Sequence, residues 1–379
     1  MVEVIFWFSL FFIGYAFFGY PLMLIAISLF RNHSVKKGNI TPNVSFIITA
    51  YNEEKRIQEK IENTLKQDYP KDKLEIIVAS DSSTDMTDEI VKSYQRQGIK
   101  LVRAPERKGK ENAQKYAVEA ASGEILVFSD VATILQTDGV SNIVKNFNDP
   151  TVGCVSSVDK FIDKNGNISG EGAYVRYEMF LRNLETKVNT LVGLSGSFFA
   201  AGKEVCKKWS ADLQSDFNTL LNCVKAGLRG VSDSDSIGYY KNITDEKREF
   251  ERKVRTVLRG ISVLMKSLSM LNPFKYGLFS WQLFSHKLCR WLVPFAMITL
   301  FISNWLLVYL SKPKIYTFLL IVQIIFYLIA FIGFMNKALA AKPLIKLPSF
   351  FVTVNMSILV AWLKYFRGSR LTLWEPSKR

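Results

Sequence analysis

The chain has 379 residues, 49 Lys and Arg against 34 Asp and Glu, a net charge of +15, and 49% apolar residues. Two histidines argue against an imidazole-built zinc site, and Cys154, Cys206, Cys223 and Cys289 lack metal-ligand spacing, so they read as small buried apolar residues in a reducing compartment. No nucleic-acid motif stands out, which leaves a membrane surface or a diphosphate-bearing ligand to account for the charge.

Val4 to Phe30 is an almost uninterrupted apolar run without charge, long enough to cross a bilayer. It is too long for a signal peptide, lacks a basic leader and lacks a small-residue cleavage site, so it reads as a retained anchor. Nothing basic precedes it, while Arg31, Lys36 and Lys37 follow. The positive-inside rule then expects the amino terminus outside and the next domain in the cytoplasm.

From there the pattern alternates. Val44–Ala50 reads as a strand and Glu53–Gln67 as a helix; Leu74–Ser80 is strand-like and Thr87–Gln97 helical. Lys100–Arg103 is a third strand, Lys110–Ala121 a helix and Ile125–Ser129 a fourth strand. Strands alternating with helices predict a parallel sheet, and their continuous apolar character predicts burial on both faces. Two of the strands end in aspartates, Asp81 and Asp130. In open α/β sheets ligands bind at the carboxyl ends of strands, where a carboxylate can bond a ribose or base, or hold a divalent cation on a diphosphate.

Charge is dense again in Glu246–Arg259, and Ile261–Met270 reads either as an amphipathic segment at the membrane surface or as a helix packed on the domain. Trp291–Leu310 and Ile315–Met335 are two further spans, and Leu347–Tyr365 is a fourth, weakened by Asn355 and Lys364. Four spans would return the carboxyl terminus to the outside, whereas Arg367, Arg370, Lys378 and Arg379 favour the inside. The fourth run therefore reads as a span, a re-entrant segment or an interfacial one.

Five short motifs lie in order along the central domain: Thr49-Ala50-Tyr51-Asn52-Glu53-Glu54, Ser80-Asp81-Ser82-Ser83-Thr84-Asp85, Lys108-Gly109-Lys110, Phe128-Ser129-Asp130 and Ser215-Asp216. In this order and spacing they resemble the inverting family 2 glycosyltransferases. The flanking spans look like the membrane-bound bacterial members that build exopolysaccharide or capsule. The resemblance implies an α/β fold of GT-A type, with a Rossmann-like, mostly parallel sheet and transmembrane helices at both ends. The expected organisation is an anchor over 1–35, the GT-A domain over 36–243, a charged and amphipathic interfacial segment over 244–290, and a transmembrane region with a basic tail over 291–379.

By that resemblance Ala50, Asn52 and Glu54 line a nucleotide pocket with Ser129, and Asp81 hydrogen-bonds the base, as an acceptor carboxylate can. Asp81 could instead cap the turn before Thr87, and Asp85 reads as a turn organiser. Asp130 matches the first acid of the DxD motif and would bind Mg²⁺ or Mn²⁺ on the donor diphosphate. The second acid position is Ala132, which offers no ligand. Asp216 matches the catalytic base, with Asp212 its nearest competitor and a helix cap its bland alternative. Gly193, Ser195 and Gly196 match a small-residue stretch beside the sugar and acceptor. Lys110 opens a helix where phosphate binds readily, and Lys108 reads as a solvated turn residue.

In the place of the QxxRW motif of processive relatives, Arg252 stands where Gln would be and Thr256 replaces the Trp, while Arg255 remains to neutralise the leaving diphosphate. That departure speaks against a synthase that threads its own polymer. His286, Arg290 and Trp291 precede the second span; Arg and Trp read as interfacial anchors, with His286 a possible acceptor-phosphate contact. The resemblance thus implies a multi-pass inner-membrane enzyme with its catalytic domain in the cytoplasm. Its partners would be a nucleotide sugar, most readily UDP-linked, a lipid-linked or glycan acceptor, and membrane lipid, with no nucleic acid. A processive polysaccharide synthase and a non-catalytic scaffold of an assembly complex are the alternatives.

Overall fold

The computed structural model describes residues 1–162, 173–241, 246–311, 313–340 and 342–370. Strands β1 (Val44–Ala50), β2 (Leu74–Ser80), β3 (Ile99–Arg103) and β4 (Ile125–Asp130) form the parallel half of one sheet, with β1 between β2 and β4. Every residue of β1 is buried. Ile47 and Ile48, both 0% exposed, project to opposite faces and enter separate apolar clusters. Each such side chain contributes about 1.5–3 kcal/mol of burial, which explains the absence of polar alternation in these strands.

The expected parallel order ends at β4. The full order is β3-β2-β1-β4-β7-β6-β8-β5, with β5 at Ile134–Leu135, β6 at Val152–Ile162, β7 at Phe198–Gly202 and β8 at Arg229–Lys241. β7 runs antiparallel to both β4 and β6, and β5 is antiparallel to β8, so the sheet is mixed although parallel pairs predominate. Reversal at β7 matters for function. Ser129 pairs with Phe198, which sets the residues entering β7 beside the carboxyl end of β4.

The longer helices include α1 (Val2–Phe30), α2 (Ile57–Leu65), α3 (Thr87–Ser93), α4 (Lys110–Ala120), α5 (Ala173–Val188), α6 (Ser215–Lys225), α7 (Glu246–Met265), α8 (Leu278–Tyr309), α9 (Lys314–Met335) and α10 (Pro343–Phe366). α2 starts later than the Glu53 expected from periodicity. Asn52 adopts φ 50°, and the Glu53 N–H donates to Thr87 Oγ1 at 2.8 Å, so Asn52–Arg56 is a turn held by the next βα junction. The helix expected over Thr87–Gln97 is α3 followed by a separate 3₁₀ turn at Gln95–Gln97.

Among the described residues four helices are long and apolar enough to cross a membrane: α1, α8, α9 and α10. The fourth run is thus one continuous helix with Pro348 inside it. Lys378 and Arg379 of the basic tail lie outside the described residues. α8 begins well before the expected Trp291, adding Gln282, Ser285, His286 and Lys287 to its domain-facing end.

The segment Ile261–Met270 is not a separate surface helix. Its first part belongs to α7, whose Val254, Leu258, Ile261 and Leu264 join Phe217 of α6 and Ile358, Ala361 and Trp362 of α10 in one buried cluster. Packing on both sides fits the expectation of a helix docked on the domain and ties that domain to α10. All four cysteines are buried and unpaired.

Candidate active site

Three loops at the carboxyl ends of β1, β2 and β4 meet the loop entering β7. Asn52 and Ser82 sit in the first two with φ 50° and 55°, a left-handed conformation that costs a non-glycine residue about 1–3 kcal/mol. Hydrogen bonds between the loops sustain it: Thr84 N–H donates to Asn52 Oδ1 at 2.8 Å, and Asn52 N–H donates to Ser83 Oγ at 3.2 Å. Glu54 N–H donates to Asp85 Oδ2 at 3.1 Å, and Met86 N–H donates to Glu54 Oε2 at 3.3 Å. Asp85 also accepts from the backbone and hydroxyl of Thr87, as a turn organiser does. Ala50 is fully buried and takes part through its carbonyl, which accepts from the Asp81 N–H at 2.9 Å.

Asp81 is 0% exposed. Its carboxylate accepts from the backbone N–H groups of Lys108 and Gly109 at 2.9–3.1 Å, fixing the loop that starts α4. Burial raises its pKa, opposed by those N–H groups and the charge of Arg107. Arg107 lies 3.9 Å from the Tyr51 ring centroid, so a cation and an aromatic face border this pocket. Gly109 has φ 105°, which only glycine adopts without strain.

Lys110 follows Gly109. Its ammonium donates to Asp130 Oδ1 at 2.5 Å and to the Gly196 carbonyl at 2.9 Å, spanning the ends of β4 and the β7 loop. Asp130 N–H donates to Ser197 O at 3.0 Å, closing the same junction. Asp130 retains 27% side-chain exposure, while Lys110 retains 8%. Among the described residues no group of three or more His, Cys, Asp or Glu gathers to hold a metal. Asp130 with substrate oxygens and water nonetheless meets the needs of a hard cation that takes one or two carboxylates.

Ser129 is not brought to the cleft. Its hydroxyl is buried and accepts from Lys60 Nζ at 2.7 Å, and the same ammonium donates to Thr133 O at 2.6 Å. Lys60 is itself 0% exposed, on the apolar face of α2 beside Ile57, Ile61 and Thr64. Desolvation lowers its pKa to about 7, with the Asp130 charge opposing. It thus clamps the strand end from below, on both sides of Asp130–Ala132.

Asp216 lies in the first turn of α6, not at its cap. Gly196 faces it so closely that a Cβ there would stand 2.5 Å from Asp216 Oδ2. The carboxylate accepts from Gln214 Nε2 at 3.1 Å and from the Phe217 N–H at 2.6 Å. Burial raises its pKa above the ordinary aspartate value, against the pull of Lys110 and Arg259. Arg259 reaches across from α7 to Glu111 of α4, and the Ser215 N–H donates to the same carboxylate at 3.4 Å. Asp212 points elsewhere, paired with Lys266 at 2.6 Å. Arg255 is half-buried one turn before Arg259 on α7. Ser195 and Ser197 direct their hydroxyls to Asp159. His286 is buried between Glu185, at 2.5 Å, and Glu178, at 3.3 Å.

Residues 45–209 match the sequence profile of glycosyl transferase family 2. Those residues thus carry the sequence pattern of a family 2 glycosyltransferase domain. The poly-β-1,6-N-acetyl-D-glucosamine synthase of Staphylococcus epidermidis is 25% identical over 178 residues, 45% of this chain and 42% of that protein. The enzyme of the same name from Staphylococcus aureus (strain COL) is 27% identical over 178 residues, with the same shares. The match spans less than half the length of these curated relatives. A mannosyltransferase from Pyrobaculum calidifontis, solved with GDP-Man and Mn²⁺, superposes with a TM-score of 0.73 at 23% identity, covering 97% of this chain and 100% of that one. At that identity the likeness establishes the fold, which is GT-A.

Asp81, Lys110, Asp130 and Gly196 of the matched region, with Asp216 just beyond it, are thus linked side by side at the carboxyl ends of β2 and β4. Lys60, Arg107 and Arg259 are additions that motif reading missed. Lys60 carried a signal, since a lysine at an i, i+3, i+4 apolar position of a helix is out of place on solvent-facing grounds. Arg107 and Arg259 carried none, because their partners lie in other segments.

Proposed function

We propose that the chain is an inverting glycosyltransferase, moving a sugar from a nucleotide donor to a lipid-linked or growing glycan acceptor at the cytoplasmic face of the inner membrane. The observation that carries this reading is the half-buried Asp216 carboxylate against Gly196, joined through Lys110 to Asp130. In the reaction an acceptor oxygen forms a bond to the anomeric carbon from the face opposite the leaving group. The bond from that carbon to the diphosphate breaks, and its electron pair leaves with the nucleoside diphosphate. Asp216 takes the acceptor hydroxyl proton, and its raised pKa makes it a better base than an ordinary aspartate.

Lys110 would swing its ammonium from Asp130 to the diphosphate as charge develops there. Asp130 would hold Mg²⁺ or Mn²⁺ with diphosphate oxygens, and the cation would add positive charge to the leaving group. Ala50, Asn52, Glu54 and Asp81 would form the base and ribose end, with Tyr51 and Arg107 as a stacking surface. Ser129 acts through Lys60, and Arg255 supports the leaving-group side of α7. Gly193 and Ser195 shape the acceptor loop. A UDP-linked sugar is the donor expected for the family.

Chain extension is a second reading, favoured by the names of the staphylococcal relatives. The replaced Gln and Trp of the QxxRW region favour single transfer. The deciding experiment is nucleotide release by detergent-purified protein from UDP-, GDP- and dTDP-sugars, with and without Mg²⁺ or Mn²⁺, using a lipid extract as acceptor. Release that requires one donor and Asp216 supports the transferase, and product length separates one transfer from many. Bound nucleotide without release in any condition would favour a scaffold instead.

A further inference from the structure

Lys287 sits at the domain-facing end of α8, and its ammonium lies 3.2 Å from where a Cβ on Gly193 would stand. It rests over the rings of Phe217, at 5.3 Å, and Trp291, at 5.9 Å. Arg182 of α5 donates to Ser156 Oγ at 2.9 Å, and that hydroxyl also accepts the Ser195 N–H at 2.8 Å. Both cations therefore frame the Gly193–Ser197 loop that faces Asp216. Arg182 and Lys287 repel one another, while Glu178, Asp216 and Glu185 attract Lys287 from a distance. Glu178 and Glu185 are already engaged by Arg290 and His286. Among the described residues neither Arg182 nor Lys287 has a carboxylate in ion-pair range. Two half-buried cations that flank one loop, with hydroxyl and ring partners, call for an anion from outside.

An anion bound there would lie on the acceptor side of the proposed reaction. The donor diphosphate belongs with Lys110 and Asp130, and inverting attack brings the acceptor in from the opposite, Asp216 side. Two helical turns further along α8, about 10 Å away on the same face, Pro294, Ile298 and Phe301 line an apolar crevice of about 370 Å³ with Tyr327 of α9 and Asn355 and Met356 of α10. Cations at a membrane-helix end, leading into an apolar crevice on that helix, match an amphiphile with one anionic head.

We propose that Arg182 and Lys287 form a subsite for the phosphate of a lipid-linked acceptor, whose hydrocarbon tail runs along α8 into this crevice. The proposal rests on the glycosyltransferase reading and deepens it by naming the acceptor class.

The test uses the full chain in detergent and calorimetric titration with farnesyl phosphate, farnesol, inorganic phosphate and nucleotide. Farnesyl phosphate is expected to bind at least tenfold more tightly than farnesol or inorganic phosphate. Joint Arg182→Gln and Lys287→Gln substitution should weaken it at least tenfold while nucleotide affinity, a measure of intact folding, holds. Lys287→Arg should retain most of the binding. Ile298→Trp should weaken farnesyl phosphate but not inorganic phosphate. Farnesyl phosphate binding that ignores the double substitution overturns the subsite. Inorganic phosphate binding as tightly as the lipid, with Ile298→Trp silent, overturns the lipid part. Failure of the unsubstituted protein to bind any nucleotide would instead overturn the glycosyltransferase reading.

Discussion

On one side of the cleft Asp81, Lys110 and Asp130 come from successive βα junctions of a parallel sheet, and their positions follow from strand register. On the other side Asp216, Gly196, Arg259 and Lys287 come from an antiparallel strand entry, two helices and a membrane helix. Arg259 and Glu111, which tie that side together, are 148 residues apart. The first side is local architecture repeated, whereas the second is tertiary assembly. Damage to the first should thus appear as lost donor binding, and damage to the second as lost turnover with donor binding intact.

Asp216→Asn carries the largest expected effect. Removing a general base costs about 10²–10⁴-fold in rate, and turnover should fall by that factor while nucleotide affinity stays within about twofold. Since burial raises the Asp216 pKa, the ionised form is disfavoured in the folded state. The acid limb of the rate profile should lie above the ordinary aspartate range. The folded state also binds its proton more tightly than the unfolded chain, so this group's contribution to stability is fully present below the unfolded pKa and lost as pH rises through the folded one. The Asn variant should therefore melt higher than the unsubstituted protein at pH 7, with the gap closing in acid. Equal melting at both pH values would contradict the cost of burying this charge.

Gly196→Ala comes next. Its Cβ would stand 2.5 Å from Asp216 Oδ2, so the carboxylate must move, and a displacement near 1 Å can cost about 10²-fold. A loss of turnover at constant nucleotide affinity is expected, and a matching loss of nucleotide affinity would blur the two sides. Asp81→Ala tests the opposite side. It removes a buried acceptor of backbone N–H bonds, each worth about 1.5–3 kcal/mol to a charged group, and should weaken nucleotide binding about tenfold or more by calorimetry.

Ala132→Asp should tighten Mn²⁺ activation several-fold if residue 132 faces the diphosphate; unchanged metal titration would show that it does not. Lys60→Met should flatten the pH dependence of stability. With its folded pKa lowered to about 7, the unfolded chain binds more protons between about pH 7 and the usual lysine range, and stability rises with pH across that window. A variant with the same slope would place the titration elsewhere.

Ser129 illustrates what motif reading misses. Its place beside Asp130 suggested a ligand contact, yet strand alternation turns its hydroxyl away from the cleft and onto Lys60. His286 behaves similarly. Its position before a span suggested a contact to an acceptor phosphate, but α8 extends inward and carries it between two glutamates.

The parallel strands, their terminal aspartates, the glycine before Lys110 and the apolar helices were legible in the amino-acid order. These follow from periodicity and local backbone preference, which act over a few residues. The reversal of β7, the approach of Gly196 to Asp216, the place of Lys60 beneath Asp130 and the flanking of the Gly193–Ser197 loop by Arg182 and Lys287 came from the assembled fold. Such contacts join segments far apart in the chain. Their energies depend on packing and burial that no local window contains.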